Sequence, residues 1–413
     1  MVSRELPGRG WRQSARSPWT VAGVVLVAYG LWLGAFFGSG HQPRDMIFIG
    51  THFINQSQAS QVIRLDPSYR HVSEIGYDGQ FFYYLALDPV NARWYMDVST
   101  YRYTRILYPM LARVLALGRP DLIPVTLFLI NWLAIAGGTL ALAAWLKRRG
   151  LSPWFGLVYG FYPGLHVALQ RDLSEALGYG LVAAAVYLYD YGPGPRHWLA
   201  AGVFSLAALT RETTAIFALG YAGALLLDGA VGGDWRARIR HGWPQAAIFL
   251  AIALGPLLVY KVFLLAWLGA GHDVGIPLSR LPFAGLWYWR YWDVPSRMEE
   301  VRTVVYPGLI AGGVAAYALY RRILRPEVAL LLVNVLVFIV FLQADAYVEI
   351  QAASRVTMGV VLAAILCLPW LGAQAARRAW FWICAALWLS LVPFWLGFPT
   401  MHYGLHLLHG LRG

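Results

Sequence analysis

The stretch EIGYDGQFFYYLALDP, Glu74–Pro89, decides how this chain is read. It is the most aromatic part of a long polar excursion that follows a first apolar segment. Read as a helix, it places Tyr77, Phe81, Tyr84 and Leu85 on one face, at i, i+4, i+7 and i+8. Rings with one apolar and one wet end suit the membrane–water boundary, so the pattern predicts a helix lying in the interface. Asp78 stands between Tyr77 and Gly79 at the first turn, where the helix dipole favours an ionised carboxylate. Gly79 is expected to let a ligand approach the backbone. Two readings of Asp78 stay open: an active-site carboxylate held at the membrane surface, or an N-capping residue of an amphipathic helix.

The rest of the chain fits a membrane setting. Of 413 residues, 59% are hydrophobic and only 13% charged, too apolar for a soluble domain of this size. The 19 Trp and 24 Tyr suit interfacial belts. The net charge of +12 is nearly all arginine. Many of these arginines sit in short loops between apolar runs, the positive-inside pattern and not a nucleic-acid signal. Cys367 and Cys384 lie in apolar runs and read as small buried hydrophobes.

Spans are expected at Val21–Phe37, Leu122–Leu146, Ser152–Ala168, Ser174–Tyr189, Trp243–Leu268, Thr303–Tyr320, Glu327–Leu342, Val356–Leu371 and Ala379–Leu396. Arg4, Arg9, Arg12 and Arg16 before the first run fit a signal peptide or an uncleaved first span. The run is long for a signal peptide and lacks a good cleavage site, so an uncleaved span with a cytoplasmic N-terminus is the preferred expectation. Ile106–Leu117 is too short for a bilayer of about 30 Å and reads as a second interfacial helix. Trp198–Leu227 is interrupted by Arg211 and Glu212. As one straight helix it would measure about 45 Å, so two short helices meeting at Thr210–Thr213 are expected, their shared end in a cavity. The fold class is therefore an all-α polytopic membrane protein with about eleven spans in one domain over residues 1–413. Two long loops, 38–105 and 269–302, lie outside the cytoplasm in this reading, and the second is rich in rings from Trp287 to Trp292.

Charges at the expected outer ends carry both signs: Asp78, Asp88, Arg102, Arg105, Arg171, Asp172, Glu175, Arg211, Glu212, Asp345, Glu349 and Arg355. A charge near the bilayer centre costs about 2.5–3.5 kcal/mol on insertion scales, so such groups pair or line a cavity. Arginines there suit a phosphate through planar paired donors, and a carboxylate suits proton abstraction from a hydroxyl. The alternative is that Arg211–Glu212 and Arg171–Glu175 are ion pairs that only fix helix ends. His402, His406 and His409 lack a nearby carboxylate and do not form a metal site by spacing. His166 reads as a satisfied polar residue. No Walker loop, dinucleotide fingerprint or nucleophile elbow is present.

The blocks GYDGQFFYYLALDP, YRYTRILYP, RDLSEAL and LTRET resemble the GT-C superfamily of integral-membrane glycosyltransferases. They look like a bacterial subgroup associated with cell-surface glycopolymer formation, distantly similar to mannosyltransferases that use polyprenyl-phosphate sugars. The resemblance implies a multi-pass protein of the bacterial inner membrane with an extracytoplasmic site. It implies a polyprenyl-phosphate-linked sugar as donor, a glycan or lipid as acceptor, and Asp78 as the base that deprotonates the acceptor hydroxyl. Arg211 and Arg355 are the first choices for the donor phosphate, followed by Arg102, Arg105 and Arg171. Glu175, Glu212, Tyr77, Gln80 and Glu349 are the candidates for orienting sugar or acceptor. Asp78 is followed by Gly79 and Gln80, so the two-acid metal motif of the superfamily is absent and no cofactor is expected. A transporter or flippase of lipid-linked sugars is the competing class. A third is a polymer ligase with a diphosphate-linked donor, which calls for a more strongly basic cavity.

Overall fold

The computed structural model describes residues 17–54, 75–190, 195–228, 235–269, 278–287, 297, 300–348 and 350–371. Every regular element among the described residues is helical. Among the described residues five helical stretches are long and apolar enough to cross a bilayer: Pro18–Gly38, Ile123–Arg148, Gly242–Leu268, Thr303–Tyr320 and Ala352–Trp370. Four shorter apolar helices, Glu175–Tyr189, His197–Thr210, Glu212–Leu226 and Pro326–Val340, complete the set. The chain is thus a helical membrane protein, with five of the eleven expected spans supported by length and composition. Expectations for Ala379–Leu396, Cys384, the histidines near the C-terminus, Glu349 and most of the ring-rich loop fall outside the described residues.

Helix α1, Pro18–Gly38, starts with proline at its first turn and is apolar all round. Val21, Val25, Tyr29, Leu33 and Phe36 form its buried stripe against α5, Ile123–Arg148. Tyr29 donates to the Gly160 carbonyl at 3.0 Å and Trp132 to the Leu26 carbonyl at 3.0 Å, which locks α1 in register.

Between them run α2, Gly79–Leu87, α3, Ser99–Tyr103, and α4, Leu107–Leu115. The expected amphipathic pattern of α2, with one face exposed, is not found. Every residue from Gly79 to Ala86 is buried, because rings from neighbouring segments close over the helix. Phe82 meets Tyr108 edge-on at 5.5 Å, and Tyr84 meets Tyr95 at the same distance. α4 is one-sided as expected. It buries Tyr108, Pro109 and Ala112 while Val114 and Leu115 stay exposed.

The expected span Ser152–Ala168 is not one helix. It breaks at Tyr162, whose backbone is extended before Pro163, and resumes as α6, Pro163–Gln170. Proline removes an N–H and disfavours helical geometry in the residue before it. Next, α7, Glu175–Tyr189, lies against α5 with Gly138 and Gly180 at the contact, the small-residue packing that lets membrane helices approach.

The break at Arg211 is present. α8, Pro195–Thr210, and α9, Ala215–Asp228, are separated by Arg211 in extended backbone (φ −152°, ψ 115°) and one short turn. Thr214 caps this turn by donating its hydroxyl to the Arg211 carbonyl at 2.8 Å. α10, Trp235–Leu268, packs on α8 and α9 and exposes Leu258, Val259, Val262 and Phe263, the face a lipid environment covers. α11, Tyr306–Tyr320, and α12, Pro326–Val335, surround α14, Met358–Cys367, which is buried throughout. Ahead of α14, α13, Ile350–Val356, is pressed onto α6: a Cβ on Gly164 would overlap the Ser354 carbonyl. That contact fixes the position of Arg355.

Candidate functional site

Asp78 is at the N-terminal boundary of α2, but its side chain makes no capping hydrogen bond. Its Oδ1 lies 3.0 Å from Arg102 Nη1, and its Oδ2 accepts from Arg355 Nη2 at 2.9 Å. The two arginines come from opposite ends of the chain, yet one carboxylate bridges them. The capping reading of Asp78 is therefore not what its geometry supports.

Around this bridge the charges form one connected set. Arg102 donates from its other edge to both Asp97 oxygens, at 2.8 and 2.6 Å, and its guanidinium sits 4.3 Å from the Phe81 ring centre. Arg355 also donates to the Tyr77 hydroxyl at 2.9 Å and to Glu175 Oε1 at 2.5 Å. The same Glu175 oxygen is 2.7 Å from Arg211 Nη1. Arg105 grips Glu212 through two hydrogen bonds of 2.9 and 2.8 Å and also touches the Tyr101 hydroxyl. The expected pairs within Arg211–Glu212 and Arg171–Glu175 are thus exchanged: Glu212 goes to Arg105, and Glu175 to Arg211 and Arg355.

These groups adjoin a cavity of about 490 Å³. Its lining includes the polar residues Tyr77, Asp78, Asp97, Arg102, Arg211 and Arg355 and the apolar residues Phe53, Ile75, Phe81, Val98, Ala352 and Val356. A cavity lined by both kinds has polar groups for an anion and apolar surface for a hydrocarbon chain. Arg211 is 4% exposed, and its buried Nε has no hydrogen-bond acceptor among the described residues. Burial by itself would raise the Asp78 carboxyl, but Arg102, Arg355 and Arg105 outweigh it and hold it well below the ordinary carboxylate range.

Several expectations need correction. Gly79 does not open space for a ligand. A Cβ there would overlap the Arg171 carbonyl oxygen, so glycine is required for α2 to meet the end of α6. Gln80 lines the cavity, but its amide is already engaged. Its Oε1 accepts from the Gly50 N–H at 3.1 Å and its Nε2 donates to the Ile75 carbonyl at 2.9 Å. It staples the loop that carries Asp78, where Gly76 has a φ of 75°. Arg105, Glu175 and Glu212 stand behind the cavity wall and not on it. Arg171 stacks 4.0 Å from the Phe48 ring centre and is also off the lining.

Asp97 has no local pattern to mark it, although it supplies half the hold on Arg102. The only cue is an acid five residues before a basic one in a turn-rich segment. Asp172 is fully buried, in a left-handed backbone (φ 49°), with neither carboxyl oxygen hydrogen-bonded among the described residues. Burial pushes its carboxyl well above the usual range, and neither oxygen joins the charge set among the described residues.

At the opposite ends of these helices lies a separate cluster. Arg149 pairs with Asp190, and the Arg149 and Arg325 guanidinium groups lie 4.6 and 4.3 Å from the Trp370 ring centre. The cavity that holds Asp78 is thus separate from this cluster. Among the described residues no group of three His, Cys, Asp or Glu side chains is arranged to hold a metal. Set against models of known families, curated proteins and solved structures, the chain matches none of them.

Proposed function

We propose that this protein is a membrane glycosyltransferase of the GT-C type. In this reading it moves a sugar from a polyprenyl-phosphate donor to a glycan or lipid acceptor on the extracytoplasmic side of a bacterial inner membrane. The observation that carries the reading is Asp78, a partly exposed carboxylate in a cavity, flanked by Arg102 and Arg355, with Arg211 also on the lining. The acceptor oxygen attacks the anomeric carbon as its proton passes to Asp78. The bond from that carbon to the phosphate oxygen breaks, and the lipid phosphate leaves with the electron pair. Arg102, Arg211 and Arg355 stabilise the charge that grows on the leaving phosphate.

Charge balance favours a single phosphate over a diphosphate. Arg102, Arg105, Arg211 and Arg355 are matched by Asp78, Asp97, Glu175 and Glu212, so the set has no surplus of positive charge. A monoanionic phosphodiester fits such a site better than a doubly charged diphosphate.

The helix breaks at Tyr162 and Arg211 also suit a transporter, where interrupted helices line a central site. One experiment separates the two. The purified chain in detergent, with no membrane barrier, is given a polyprenyl-phosphate sugar and an acceptor. Turnover that Asp78→Ala lowers by about 10²–10⁴-fold, in a protein that still folds, supports transfer chemistry. Full activity of that variant, or no turnover by the wild type while vesicles carry the lipid across, rejects it.

A further inference from the structure

Held by Arg102 and Arg355, Asp78 is a base that is switched off. Both its oxygens are committed to guanidinium groups, and a carboxylate so held has little affinity for a hydroxyl proton. A carboxylate and a phosphodiester are alike in the part that faces the arginines: two oxygens on one atom, sharing one negative charge. We propose that the Asp78 carboxylate is the resident anion of the site that the donor phosphate takes, and that donor binding displaces it and so frees it to act. This rests on the donor reading above and adds an order to it: donor first, then proton transfer.

Three observations support the exchange. The bridge can be reached from the cavity, since the Asp78 side chain is 24% exposed while Arg102 and Arg355 are 8% and 7%. The arginines cannot follow a departing carboxylate. Arg102 is fixed by both Asp97 oxygens, and Arg355 by Glu175 and Tyr77. They remain as a preformed pair of donors aimed at one place. Finally, the four-on-four balance of charges acquires one excess negative charge when a monoanionic donor enters. Protonation of Asp78 removes that excess, so the site favours a protonated Asp78 only while the donor is present.

Asp97 is the competing candidate for displacement, as it also lines the cavity and is 37% exposed. It holds Arg102 alone, so an anion taking its place would gain one arginine and leave Asp78 clamped. The two carboxylates therefore give different outcomes.

Farnesyl phosphate is titrated calorimetrically near pH 5, where this monoester carries about one negative charge, into the full-length protein in detergent, using wild type, Asp78→Asn and Asp97→Asn. Displacement of Asp78 predicts that Asp78→Asn binds the probe at least about tenfold more tightly than wild type, while Asp97→Asn gains less than about threefold. Equal affinity of Asp78→Asn and wild type, or a gain at Asp97 as large as that at Asp78, overturns the exchange and leaves the donor reading standing. Absence of probe binding to all three proteins overturns the donor reading itself, and the exchange with it. A second measurement needs no variant. Carbodiimide labelling of wild-type Asp78, read by peptide mass spectrometry near pH 5, is expected to rise several-fold when farnesyl phosphate is added. Unchanged or reduced labelling refutes the displacement.

Discussion

Glu175 and Arg355, 180 positions apart, meet through a 2.5 Å hydrogen bond from Arg355 Nε to Glu175 Oε1, and that same oxygen lies 2.7 Å from Arg211 Nη1. One fully buried oxygen thus positions two of the arginines that line the cavity. Replacing the carboxylate leaves two buried guanidinium groups without their counter-charge. Glu175→Gln should destabilise the protein by about 3–5 kcal/mol, the cost of breaking a buried ion pair from one side. Thermal unfolding in detergent checks this, and a melting temperature equal to wild type would contradict the assigned role.

Arg105 and Glu212 join α3's end to the break between α8 and α9. Their two hydrogen bonds form a closed unit behind the cavity. Arg105→Ala and Glu212→Ala should each cost more than half of what the double variant costs, because each single change strands a buried charge. A double-mutant cycle should give a coupling of about 0.5–3 kcal/mol. Additive effects would show that the pair is not a unit.

Gly79 is a test of packing. A methyl group there overlaps a backbone oxygen, which is unable to swing aside as a side chain does. Gly79→Ala should cost about 1–3 kcal/mol through overpacking and should displace Asp78 at the adjacent position. Loss of both stability and probe binding is expected. Unaltered probe affinity would mean that the α2–α6 contact does not set the site.

Glu300 gives a pH prediction away from the site. It is 1% exposed, with neither carboxyl oxygen hydrogen-bonded among the described residues. Burial raises its carboxyl from 4.5 to about 7. Below 4.5 the group is protonated in the folded and unfolded chain alike and has no effect on the balance. Between these values only the folded state holds the proton, so stability falls as pH rises, and above about 7 the penalty is constant. Glu300→Gln should flatten this part of the melting-temperature profile and raise stability at pH 8. An unchanged profile would show that the acid is not buried as described.

Local chemistry was enough to read the helical membrane class, the interruption at Arg211–Glu212 and the prominence of Asp78. Apolar run length, a charged pair in the middle of a hydrophobic run and an acid beside a glycine all act over a few residues, and each leaves its mark in the sequence. It was not enough to see that α2 is covered on all sides, since that depends on which rings arrive from other segments. Nor did it show that Gly79 serves a backbone crossing, or that Gln80 is occupied as a staple.

Pairing was decided by tertiary structure alone. The sequence places Arg211 beside Glu212 and Arg171 close to Glu175, and proximity along the chain suggests those partners. In the folded protein Arg105 reaches Glu212 across 107 positions, and Arg355 reaches Asp78 across 277. Charges at helix ends point where the helix axes direct them, and those directions follow from how close α6 comes to α13 and α5 to α7. The sequence by itself supplied the ionisable groups of the cavity; the packing of the helices determined which of them hold one another and which face the space between.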